Sequence, residues 1–363
     1  MLNAPRDAPG DAPFESALLS AFAEQVAWCR PDAPFTARLL ERTQAWLAAD
    51  GTAHAIFVAA APDPRAAAVP LRWAGALHHL ALRGLQPWAA LWPPAQSNVS
   101  DDQLDAAIAA AWREQRPHVL AALALPPQTN EVQRSAILLP GLLHIAAATG
   151  RPLSLLEIGA SAGLNLWIER YSYDYGVWCW GDPAAALKLH SEWAGPVPAT
   201  ASTPLKVLRR AACDANPIEL TNPDEALRLK AFIWADQAER LARCTAAQHE
   251  AARWLVADGV KVESLPAAQF VQRELARPRQ GAATVLYHSI VWQYIAPAEQ
   301  AAITQAVLAA ATRASATAPL AWLRFEGSAA TPQHELRCTL WPGGVDRQLA
   351  FAHPHGARIQ WLG

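Results

Sequence analysis

Apolar positions recur at helical spacing through roughly the first 150 residues, then give way to short apolar blocks separated by helical stretches. The first pattern predicts helices over 15–28, 35–49, 71–82, 101–123 and 131–149. Ser100 and Asn130 stand where N-caps would fall, and Gly51, Gly84 and Gly150 where helices would end. The second pattern predicts strands over 153–158, 206–213, 260–263, 284–288 and 320–325, with helices over 236–255, 267–276 and 297–314 between them. Strands alternating with helices predict an α/β fold built on a mainly parallel, doubly wound sheet. Two further strands, 334–340 and 348–351, would close an antiparallel edge. The chain thus divides into an arm over 1–13, a helical N-terminal domain over 14–150 and an α/β domain over 151–363. An insertion over 171–205 interrupts the second, with Tyr171, Tyr173 and Tyr175 alternating as in a hairpin.

Composition narrows the function classes. The chain has 363 residues, 52% of them hydrophobic and 17% charged, with a formal net charge of -2. That is enough apolar surface for a large core. Without a Lys/Arg-dense stretch, nucleic-acid binding is not expected. The most apolar run, 136–149, is interrupted by Pro140, Gly141 and His144, so no membrane span is expected either. The first residues lack the charged-then-apolar pattern of a signal peptide. The five cysteines are scattered without C-x-x-C spacing, which argues against a disulfide framework or a zinc knuckle and for a reducing, cytoplasmic setting. His353 and His355 have no companion cluster of carboxylates or cysteines, so no metal is expected.

The candidate chemistry centres on Glu157-Ile-Gly159-Ala-Ser161-Ala-Gly163-Leu-Asn165, which reads as strand, small-residue turn and helix. Glycines allow a sharp turn and close approach of a ligand, and a helix beginning near Ala162 would offer free N–H groups. A nucleoside-containing ligand at the sheet's carboxyl edge is the expectation. The G-x-G-x-x-G fingerprint of dinucleotide sites is not met, because Ser161 replaces its middle glycine. That disfavours an NAD-dependent oxidoreductase. The same letters fit a serine-hydrolase elbow with Ser161 as nucleophile, but such an elbow usually follows several earlier strands and an oxyanion loop, and here a helical segment precedes the strand that leads into the loop.

Glu157-x-Gly159-x-x-x-Gly163 resembles motif I of class I S-adenosylmethionine-dependent methyltransferases. More closely, the chain is similar to an uncharacterised bacterial family, domain of unknown function two-three-three-two, whose members carry a methyltransferase-like domain. The stretches QTNEVQRSAILLP (128–140), LLEIGASAGLNL (155–166), ERYSYDYG (169–176), CDANPIELTNPDEA (213–226), WADQAERLAR (234–243), YHSIVWQYIAP (287–297) and AHPHGARIQWL (352–362) carry that resemblance. It implies a Rossmann-like, class I methyltransferase-type sheet with S-adenosylmethionine as cofactor. Glu157, Gly159, Ser161, Gly163 and Asn165 would form the cofactor loop. Asp214, ending the second strand, would receive the ribose hydroxyls, since one carboxylate can accept two hydrogen bonds from a diol. It could equally be a turn residue before Asn216-Pro217. Glu263 would lie near the adenine, although this chain has Val262-Glu263 where the family often has Gly-Asp. The reactive edge would be Tyr287-His288, with His288 either a general base or a satisfied structural histidine. Gln128, Asn130, Tyr294 and Trp178 are candidates to line a small-molecule pocket, and Asn130 could instead cap a helix. Trp178, Trp180 and Trp193 would form a substrate lid. The expected activity is methyl transfer to a small molecule. A non-catalytic binder of the same fold is the alternative, and the oligomeric state stays open.

Overall fold

The computed structural model describes residues 11–49, 57, 63–96, 98–328, 331 and 333–363. Two compact units are present. One comprises the chain up to Thr129 together with Asn222–Ala242, and the other Asn130–Thr221 with Arg243–Gly363.

The first unit is helical, with helices Asp11–Cys29, Pro34–Ala49, Val69–Leu82, Trp88–Leu91, Asp101–Glu114, Arg116–Ala124 and Pro223–Ala231. The long helix expected over 101–123 breaks at Gln115, because Pro117 has no N–H to continue the ladder. Ser100 caps its first half in a capping box with Gln103. Leu18, Phe22, Leu40, Trp73, Leu77, Trp88 and Ile108 form the core. The stretch around 222–242, expected in the α/β domain, joins this unit through polar bonds. His78 Nδ1 lies 3.2 Å from Ala231 O and 3.0 Å from Ile233 O, and Thr36 Oγ1 donates to Asp236 Oδ1 at 2.8 Å.

The second unit is mixed α/β. Its strands are β1 Leu153–Ile158, β2 Ser172–Asp174, β3 Cys179–Trp180, β4 Lys188–His190, β5 Glu192–Ala194, β6 Val207–Asp214, β7 Val262–Ser264, β8 Ala283–Ser289, β9 Leu320–Gly327, β10 His334–Trp341, β11 Val345–Ala352 and β12 Arg358–Trp361. Nine of them form one sheet in the order β5-β12-β11-β10-β9-β8-β1-β6-β7. Pairing is parallel from β7 through β9 and antiparallel across β9, β10, β11 and β12. β1 is buried at every position, as its unbroken apolar run requires in the middle of a parallel sheet.

Two expectations shift. Helix Ser135–Thr149 belongs to this unit rather than the helical one: its Gly141 faces Leu323 of β9 and Leu336 of β10, and Gly150 ends it in a left-handed cap at φ 60°. The boundary therefore falls at 129/130, not 150. The insertion forms a small sheet, β3-β2-β4, and then supplies β5 to the edge of the large one. Of the remaining expectations, Gly51 and residues 1–10 of the arm lie outside the described residues. Among the described residues, no helix is long and apolar enough to cross a membrane.

Candidate functional site

The parallel part of the sheet reverses its order between β1 and β8: β6 and β7 follow on one side, β8 and β9 on the other. In doubly wound sheets, ligands bind outside the carboxyl ends at such a point. The loop from Gly159 to Gly163 leaves β1 there. Its backbone is left-handed at Gly159 (φ 67°), Ser161 (φ 53°) and Gly163 (φ 74°). Packing requires the glycine at 159, and the left-handed backbone favours the one at 163. A Cβ on Gly159 would lie 2.3 Å from Val291 Cγ2, and one on Gly163 would lie 3.1 Å from Val262 Cγ2. Ser161 holds an unfavourable conformation for a side-chain-bearing residue. It is pinned by its N–H donating to Asp214 Oδ2 at 2.8 Å and its carbonyl accepting from Ile218 N at 3.1 Å. Ser161 is 6% exposed, and its Oγ has no hydrogen-bond partner.

The helix expected from Ala162 is instead a seven-residue 3₁₀ segment, Leu164–Arg170, with Trp167 outside helical angles. Its first N–H, on Leu164, donates to Asn130 Oδ1 at 2.9 Å. Asn130 therefore caps this segment across the fold rather than the helix that follows it in sequence. Asn165 is interior: its Oδ1 accepts from Ser135 Oγ at 2.7 Å and its Nδ2 donates to Glu131 O at 3.4 Å.

Three carboxylates end three neighbouring strands. Glu157, on β1, is 2% exposed and accepts from Tyr287 Oη at 3.2 Å. Burial pushes its carboxyl up to about 8; the Tyr287 bond and the Arg134 charge act against this, and the Asp214 charge adds to it. Asn165 O lies 3.1 Å from the same Tyr287 Oη, so the single O–H of Tyr287 is shared between the two acceptors, and burial first, then Glu157, raises its pKa well above the usual range. Asp214, on β6, turns one oxygen to Ser161 N and the other to Asn216 N at 2.8 Å, so it is a turn residue that also braces the glycine loop. Glu263, on β7, is held by Arg273 at 2.8 Å, and that bond keeps its carboxyl below its ordinary value. It faces a guanidinium rather than standing ready for an adenine.

His288 is 1% exposed, with both ring nitrogens engaged. Trp322 Nε1 donates to Nε2 at 3.2 Å, so the proton sits on Nδ1, which donates to Glu326 Oε1 at 2.6 Å. Trp292 stacks on the ring at 5.1 Å. Both nitrogens are thus satisfied within the fold. Tyr294 is 76% exposed. Gln128 lies in the helical unit. Trp178 does not stand out as a lid. It stacks on Tyr175 at 4.2 Å and meets Trp193 edge-on at 5.2 Å, while Trp193 stacks on Trp361 at 5.7 Å. Trp180 donates to Thr203 O at 3.2 Å. These rings fasten the insertion.

A family model described as "Uncharacterized protein conserved in bacteria (DUF2332)" matches residues 19–361. The chain belongs to that family. No match was found among curated proteins or among solved structures.

In this DUF2332 chain, residues outside the expected set organise the carboxyl edge. Arg134 Nε donates to Pro354 O at 3.0 Å and its Nη1 to Ser289 O at 3.1 Å, tying the end of β8 to the turn after β11. Glu326, on β9, accepts from His288 and from Val291 N at 3.1 Å. Glu131 is 3% exposed and lies 3.8 Å from Arg243 Nη2. Arg134 and Glu131 stand within the polar run QTNEVQRS, whose density ahead of an apolar helix was the available signal. Glu326 had none, because its partners come from distant strands.

Proposed function

We propose that this DUF2332 protein binds S-adenosylmethionine at the carboxyl edge of β1 and β6 and transfers its methyl group to a small molecule. The observation that carries the reading is the bond between Asp214 Oδ2 and Ser161 N. The reading is supported by a half-buried carboxylate lying directly against the glycine loop at the switch point, where a ribose diol could be received. The partnerless Ser161 Oγ adds a second polar group to the same place. The segment after the loop separates this ligand from a dinucleotide. A pyrophosphate wants the N–H groups and dipole of an α-helix N-terminus. Here that segment is 3₁₀, and its first N–H is already given to Asn130. S-adenosylmethionine carries no phosphate. Glu157, in contrast, sits too deep to meet a ligand and serves the loop from below.

The bound cofactor would supply an electrophilic methyl group on a sulfonium. The protein's part is then to hold two reactants in line and exclude water, which can supply most of the acceleration. With His288 and Tyr287 committed to internal bonds, the acceptor that fits is one already nucleophilic without a base, such as a neutral amine or a thiolate. The same two residues favour the second reading, a cofactor-binding protein without transfer activity. Calorimetric titration of the variants tests the site. Asp214→Ala is expected to weaken S-adenosylhomocysteine binding more than tenfold, while Glu263→Ala, which loses only its Arg273 pair, leaves the affinity within threefold. Unchanged affinity in Asp214→Ala would remove Asp214 from the site.

A further inference from the structure

We propose that Val291 is a displaceable plug over the cofactor loop, carried on a strained segment that must withdraw for ligand to bind. The inference rests on the S-adenosylmethionine reading. In the conformation described, the Val291 isopropyl group covers Gly159: a Cβ placed there would lie 2.3, 2.8 and 3.1 Å from Val291 Cγ2, Cβ and Cγ1. Gly159 is the first residue past β1 at the switch point, the place a ligand approaches most closely. One side chain of the protein thus fills the ground a ligand would take.

The segment bearing Val291 is built with two tendencies. Ile290 is a β-branched residue at φ 52°, a conformation such residues avoid and that persists only when its surroundings impose it. Several contacts impose it. Ile290 N donates to Phe325 O at 2.8 Å and Val291 N to Glu326 Oε1 at 3.1 Å. Gln300 Nε2 donates to Trp292 O at 2.8 Å, and Trp292 lies flat on His288, itself held by Glu326. Glu326 therefore fastens His288, two residues before the strained one, and Val291, the residue after it. Releasing the bonds from Ile290 N to Phe325 O and from Val291 N to Glu326 lets Ile290 return to an ordinary φ, so strain relief offsets part of the cost of opening. An element with two such arrangements is what a ligand can bias. His288 and Glu326 become positioning residues for the plug, which accounts for a buried His–Glu pair that takes no part in proton transfer.

The two sides of the balance can be moved in opposite directions. Val291→Ala removes the plug and is expected to tighten S-adenosylhomocysteine binding about fivefold, because less of the population is closed. Ile290→Asn suits the left-handed conformation, stabilises the closed arrangement and is expected to weaken binding about fivefold. Ligand should also speed hydrogen exchange at the Val291 amide in the wild-type protein while slowing it elsewhere in the loop. Binding by the wild type with no tightening in Val291→Ala, and with the Val291 amide unchanged, overturns the plug and leaves the cofactor reading standing. No binding by the wild type or by either variant overturns the cofactor reading and the plug with it.

Discussion

Raising the pH from 6 to 9 is expected to cost the protein about 3 kcal/mol of stability through Glu157 alone. Its carboxyl is pushed from an ordinary 4.5 to about 8 by burial. The unfolded chain releases that proton near 4.5, and the folded chain holds it until about 8. Between those values the folded state binds the extra proton, so stability falls as pH rises, by about 1.4 kcal/mol for each pH unit, and levels off above the folded value. The contribution is whole below 4.5 and gone by pH 9. Glu157→Gln cannot titrate, yet it retains an oxygen to accept from Tyr287. Urea unfolding of both proteins at pH 6 and pH 9 checks this. The wild type should lose stability over that interval and the variant should lose about 3 kcal/mol less. Equal losses would mean that Glu157 is ionised in the fold. The consequence for function is that, at neutral pH, the base of the loop is a neutral acid hydrogen-bonded to a tyrosine.

Gly159→Ala is expected to destabilise the protein by about 3 kcal/mol, near 1 from the left-handed φ and the rest from the collision with Val291. The collision is with a side chain, so it can be relieved. Adding Val291→Ala to Gly159→Ala should recover at least about 1 kcal/mol, a coupling that two independent sites would not show. Chemical denaturation of the two single variants and the double variant gives the cycle. Strict additivity would mean that Val291 does not rest on Gly159 in solution.

Much of the α/β unit was legible because its strands are local statements. The run from Leu153 to Ile158 is apolar throughout and ends at a glycine, and β1 has those bounds. The strands over Val207–Asp214, Ala283–Ser289 and Leu320–Gly327 lie within two residues of their expected limits at each end for the same reason. The segment after the glycine loop was misread because helical propensity does not report its outcome. Leu164–Arg170 is drawn into a 3₁₀ path by Asn130 and by Tyr171, whose Oη donates to Leu164 O at 2.5 Å. The attachment of 222–242 to the helical unit was hidden likewise, since it depends on buried His78 meeting two carbonyls more than 150 residues away.

The candidate site was legible as a place more than as a set of roles. The glycine loop, Asp214 and Glu157 do share one sheet edge. What each does there follows from partners that spacing along the chain does not reveal. His288 could be read as base or as structure until Trp322 and Glu326 were seen to occupy its two nitrogens. Glu263 is paired with Arg273, a partner that spacing along the chain does not reveal. Trp178 looked like a lid because it lies in an insertion, but Tyr175 and Trp193 enclose it. Val291 carried no signal at all, as a valine among apolar neighbours.

The central property to test is whether the loop beside Asp214 binds a sulfur nucleoside. Calorimetric titration of the folded wild-type protein with S-adenosylmethionine, S-adenosylhomocysteine and NAD tests this most directly. The predicted result is saturable one-site binding of the first two and no detectable heat with NAD. Binding of NAD alone, or of none of the three by a sample that unfolds cooperatively, would contradict it.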